Sequence, residues 1–195
     1  MGGRMTTKGA DPLAELADRV LLAIKDAGGS AKAVVDSVAG VLAAVLRESA
    51  KEGSTLLPDE AAALADSAVR GAAKAGGDLA SVARGFLLGV LREGGLTGEE
   101  ALGAVVRFVG AFMESVHGVG GDEAGAAMGL VEGAMAWAVE LGQDASRAGA
   151  SAGQAAIDAA YDVDAKAGGR VRDALKVGIA GVTFALKDPV KAPKK

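Results

Sequence analysis

Three short strings in the first half of the chain return about 45 residues later. Ala17-Asp18, Ala27-Gly28-Gly29 and Val45-Leu46-Arg47-Glu48 reappear as Ala65-Asp66, Ala75-Gly76-Gly77 and Val90-Leu91-Arg92-Glu93. A unit of this length, rich in Ala, Val and Leu, reads as a helical hairpin. It is too small to bury its apolar face alone and so stacks on copies of itself. Glycine doublets extend the pattern. Gly28-Gly29, Gly76-Gly77, Gly120-Gly121 and Gly168-Gly169 are spaced by 48, 44 and 48 positions, with Gly40, Gly85, Gly133 and Gly178 at similar offsets. One shift of 92 positions carries Gly29 onto Gly121 and Gly77 onto Gly169, as a duplicated four-helix half would.

Start and stop signals divide the chain into eight short helices. Asp11 and Pro12 open the first, which runs to Gly28-Gly29, and Ser30 caps a second over about residues 31–52. Gly53, Ser54 and Pro58 break the chain before a third helix to Gly76; a fourth spans about 78–93. Thr97 and Glu100 form a capping box for a fifth, ending at His117. The remaining three are expected at about 122–141, 145–167 and 170–186. No window alternates Val, Ile or Thr between turn residues, so the expected class is all-α, as a bundle or solenoid of tandem hairpins. The domain plan is a flexible N-terminus (1–10), one helical repeat domain (11–187, halves 11–96 and 97–187) and a basic flexible tail (188–195).

Composition narrows the function classes. Ala, Gly and Val carry the apolar half of the 195 residues, and aromatics supply only 3%. Such a core depends on many close backbone approaches more than on large side chains. Without cysteine there is no disulfide, thiolate zinc site or Cys nucleophile, which fits a cytoplasmic setting. No apolar run reaches the roughly 20 residues that span a bilayer. The stretch Gly118–Gly121 lacks the Lys-Ser/Thr of a phosphate loop and follows no strand, and six aromatics offer no stacking platform for single-stranded nucleic acid. Neither a cofactor nor a small-molecule substrate is expected.

Charge is segregated along the chain. Residues 99–164 hold 2 basic and 11 acidic groups, and residues 165–195 hold 8 basic and 2 acidic. Arg172, Lys176, Thr183 and Lys187 share one stripe of the expected eighth helix, and Lys191, Lys194 and Lys195 prolong it. This is a candidate contact for an anionic surface, set against a plain solvated face. In the second helix Val34, Val38, Val41 and Val45 run beside Val35, Leu42 and Leu46, a wider apolar arc than a surface helix needs. Gly85, Gly89 and Gly133, with Gly40 and Gly178 at related offsets, are candidate helix-packing positions where axes approach closely. The one candidate metal motif is Glu114 with His117, a Glu-x-x-His spacing that places two ligands on one helix face. With a single His in the chain, a complete site would need a second copy.

Ala-rich helices with broad apolar faces, as in Ala72-Ala73-Lys74-Ala75-Gly76-Gly77, and the basic tail Lys191-Ala192-Pro193-Lys194-Lys195 resemble bacterial phasins, which coat storage-polyester granules. The resemblance implies a coat function and carries no functional residue by position. The many helix-ending glycines depart from it, since coat proteins of that kind have longer continuous helices. The sequence therefore leads to a non-enzymatic helical structural or interaction protein. It is expected to form a homo-oligomer, or to coat an apolar or anionic surface such as a membrane or granule. The alternative is a small-ligand or metal-binding bundle using Glu114 and His117 in a dimer.

Overall fold

Gly28, Gly76 and Gly120 adopt φ of 63°, 64° and 65°, the left-handed conformation that ends a helix without the steric cost a side chain would add. In the computed structural model, which describes residues 12–51, 58–179, 181–183 and 185–187 (backbone alone for 12–14 and 58–59), these three glycines close three successive hairpin turns. The helices are α1 (Pro12–Asp26), α2 (Ala31–Lys51), α3 (Pro58–Ala75), α4 (Leu79–Glu93), α5 (Gly98–Gly118), α6 (Glu123–Glu140), α7 (Ala145–Val163) and α8 (Ala165–Lys176). The protein is all-α, and among the described residues no strand forms. One isolated bridge joins Ile179 to Val182.

The contacts divide the helices into two layers. Even-numbered helices follow one another, α2 on α4, α4 on α6 and α6 on α8; odd-numbered helices do the same from α1 to α7. Consecutive helices pair across the layers within each hairpin, and α1 and α2 touch neither α7 nor α8. The array is therefore open, with two distinct ends. α4 lies between α2 and α6, which explains its wide apolar face: Val82, Phe86, Leu87, Val90 and Leu91 are all buried. α6 is apolar on every side and packs against four other helices. Phe86 links the layers, its ring centroid 4.9 Å from that of Phe112 and 6.1 Å from that of Phe108 on α5.

Backbones meet where glycine removes the side chain. A Cβ on Gly85 would lie 2.6 Å from the Val35 carbonyl oxygen, and one on Gly89 2.7 Å from that of Ala39. One layer step further, a Cβ on Gly129 would overlap the Ala80 carbonyl, and one on Gly133 would lie 2.8 Å from that of Arg84. Two glycines four apart thus seat α4 on α2, and two more seat α6 on α4.

Several expectations need correction. Gly40 is exposed, and a Cβ added to it would meet nothing within 4 Å, so it packs against no helix. Gly178 sits beyond α8 at φ 83°, in the turn leading to Ile179. Gly168 and Gly169 do not end a helix. They lie inside α8, where Gly168 leaves room for the Tyr161 ring, and the break falls at Asp164, whose extended backbone ends α7 and whose carboxylate caps α8. Thr97 makes no side-chain capping bond. α8 stops at Lys176 because left-handed Gly178 and Gly181 turn the chain back. Beyond it Val182 and Leu186 pack against the core, and Lys187 crosses to Gln154 of α7.

Candidate functional site

The even helices carry their charges in register. Arg84 on α4 reaches Glu132 on α6 at 3.1 Å, Arg92 pairs with Glu140 eight residues further along both helices, and in the odd layer Arg147 on α7 pairs with Glu99 on α5. Each of these three pairs is separated by 48 residues, and Arg47 of α2 meets Glu93 of α4 at 3.0 Å across 46. Helices adjacent within a layer are thus joined side chain to side chain. The Arg92 guanidinium bonded to Glu140 holds that carboxyl below its ordinary range, against the opposing effect of burial.

One polar cluster is buried. Glu123, at the first turn of α6, is only 6% exposed and is the one buried ionisable side chain among the described residues. Its Oε1 lies 2.6 Å from His117 Nδ1 at the end of α5, and its Oε2 accepts from Arg170 Nη2 of α8 at 2.6 Å. Burying a lone carboxylate is costly, and two charge-assisted partners offset that cost. An ionised carboxylate only accepts, so His117 donates through Nδ1, and in the neutral imidazole Nε2 is the acceptor. The imidazole side chain is 42% exposed. The cluster ties the α5–α6 turn to the terminal helix.

No protein-family model and no curated protein matches the chain. The site therefore has to be read from its own geometry.

Glu114, one turn before His117 on α5, is exposed and has no hydrogen-bond or ionic partner among the described residues. Among the described residues no three His, Asp or Glu side chains gather as a metal cluster would require, so one copy supplies at most this pair. Sequence reasoning finds His117 and misses Glu123 and Arg170. The only signal available is an acid six residues after the single His, and its burial depends on α8 folding back.

The expected basic stripe is not assembled. Arg172 and Lys176 lie on α8, where Lys176 pairs with Asp173 at 2.9 Å, whereas Thr183 and Lys187 follow the helix and belong to the crossing segment. Lys187 is held by its backbone: its N–H donates to Gln154 Oε1 at 2.8 Å, and Gln154 Nε2 donates to its carbonyl at 3.4 Å. Lys191, Lys194 and Lys195 lie outside the described residues. Beside that segment a surface groove of about 610 Å³ runs between α5 and α7, with Leu102 and Val106 on its floor and the Glu99–Arg147 pair on its rim. No described helix is long and apolar enough to cross a membrane.

Proposed function

We propose that the protein is a non-enzymatic helical scaffold that works by self-association, two copies meeting through the α1–α2 end of the array. The difference between the two ends carries this reading. At the C-terminal end α8, the most polar helix, packs on α6 and α7, and Val182, Leu186 and Lys187 add to that cover. At the other end α2 has a face that no described helix covers, on which partly buried Ala33, Ser37 and Ala44 and exposed Gly40 follow one another at spacings of four, three and four. Gly40 and Ala44 repeat there the small pair that seats α4 on α2 and α6 on α4, and Leu22 of α1 is 58% exposed at the same end. A 4-3-4 line of small residues suits close helix pairing.

The coat reading has less support. The wide apolar stripes of α2 and α4 are spent on neighbouring helices, and the exposed large apolar side chains are scattered over α1, α5, α6 and α7 and the segments that follow them. Self-association is compatible with the cytoplasmic setting expected from the composition.

Sedimentation equilibrium from low to high micromolar concentration tests the proposal, with Gly40→Arg as the deciding variant. Its side chain points into open space, so the fold is retained, while a bulky cation blocks the α2 face. The expected result is a concentration-dependent dimer in the wild type and a monomer in the variant. A wild type that stays monomeric throughout, or equal association by both proteins, overturns the reading. Flotation with anionic vesicles by an otherwise monomeric protein would return the coat reading.

A further inference from the structure

We infer that His117 and Glu114 bind a divalent transition-metal ion of the Zn²⁺ type, with Glu123 and Arg170 holding the imidazole from behind. The inference does not depend on self-association, because the pair sits on α5, which has no contact with α2.

An imidazole that ligates a metal through one nitrogen gains basicity and a fixed orientation when the other donates to a carboxylate. His117 has this arrangement already: Nδ1 on Glu123 Oε1 at 2.6 Å, Nε2 bare, and the ring half-exposed. Glu123 cannot swing away to accept elsewhere, since its second oxygen is taken by Arg170 at 2.6 Å and the side chain is buried. The one carboxylate buried among the described residues thus stands behind the chain's only histidine. Glu114 supplies the second ligand. It precedes His117 by three residues on the same helix, so the two side chains share a face. It is exposed, and no described residue engages it. A nitrogen and a carboxylate oxygen suit Zn²⁺ and its neighbours in the first transition row, with water filling the other positions. Two protein ligands set the affinity well below that of a closed structural site.

Isothermal titration of the tag-free protein with ZnCl₂ tests this. The wild type is expected to bind one ion, and His117→Ala to bind none. Glu123→Gln, which keeps the shape and removes the charge, is expected to weaken binding roughly 10- to 100-fold, the usual range for an outer partner of a ligating histidine. Glu114→Gln, on an exposed and unpaired side chain, leaves the fold intact and is expected to weaken binding at least tenfold, which keeps the test decisive if Glu123→Gln fails to fold. Binding unchanged by Glu114→Gln, or no stronger in the wild type than in His117→Ala, overturns the inference. The Gly40→Arg monomer is expected to bind with wild-type affinity, so the outcome is separable from that of self-association.

Discussion

At the scale of single residues, the same letter does opposite work at two places. Gly129 is a contact: a Cβ there overlaps the Ala80 carbonyl, and the α4 and α6 backbones must part to admit it. Gly40 is vacant surface on a helix interior, where glycine only adds unfolded-state entropy. Gly129→Ala is therefore expected to destabilise the protein by about 2–3 kcal/mol, the range of core overpacking, and Gly40→Ala to stabilise it by about 0.5–1 kcal/mol. Urea denaturation of the two variants checks both signs; equal effects would show that the close approach at Gly129 carries no weight. The contrast also marks a limit of legibility. Sequence spacing groups Gly40 with Gly85, Gly89 and Gly133, because offset along the chain does not say which way a glycine faces. The Glu123 cluster is hidden for a related reason: its members come from three helices, brought together only when α8 packs on α6.

At the scale of the element, most helix ends are legible because capping is local chemistry. Asp78, Asp122 and Asp144 each accept a bond from a backbone N–H in the first turn of the helix that follows, at 3.0–3.1 Å. The misread elements are those whose ends depend on something distant. Gly168 reads as a terminator, whereas Tyr161 requires its missing side chain, and the apolar run Val177–Leu186 reads as helical although Gly178 and Gly181 within it are left-handed. Asp78 shows what a working cap contributes. Burial alone would raise its carboxyl, yet the Ser81 hydroxyl and the Ser81 and Ala80 amides outweigh that and hold it below the ordinary 3.8. A lowered value means stability that is present above the ordinary pKa and lost as pH falls through the folded one. Asp78→Ala is expected to cost about 1 kcal/mol at neutral pH, and the gap between variant and wild type to close below about pH 4. Paired denaturation curves at pH 7 and pH 3 read this directly; a gap of the same size at both would rule out the charged cap as its source.

At the scale of the whole molecule, stability follows position in the array. α4 and α6 have neighbours on both sides within their layer, whereas α1, α2 and α8 have one. In a stacked architecture the protection of a helix grows with its number of interfaces, so the ends open before the middle. Native-state hydrogen exchange is expected to find the slowest amides in α4 and α6, around Phe86 and Leu130, and the fastest helical ones in α1 and α8. Uniform protection would indicate a single cooperative block. The all-α class and the hairpin period are readable from the chain because each repeat needs its own turn and its own apolar stripe. Which faces remain free is not, since that depends on how many neighbours each stripe acquires.

The ion pairs between neighbouring helices of a layer tie each helix to a fixed phase of the next. Arg84 and Glu132, like Arg92 and Glu140, face each other only while both helices keep their count. A single residue slipped into a helix would turn every later charge away from its mate. Length in such a chain can change in the connecting loops, while the helices between them are held to count.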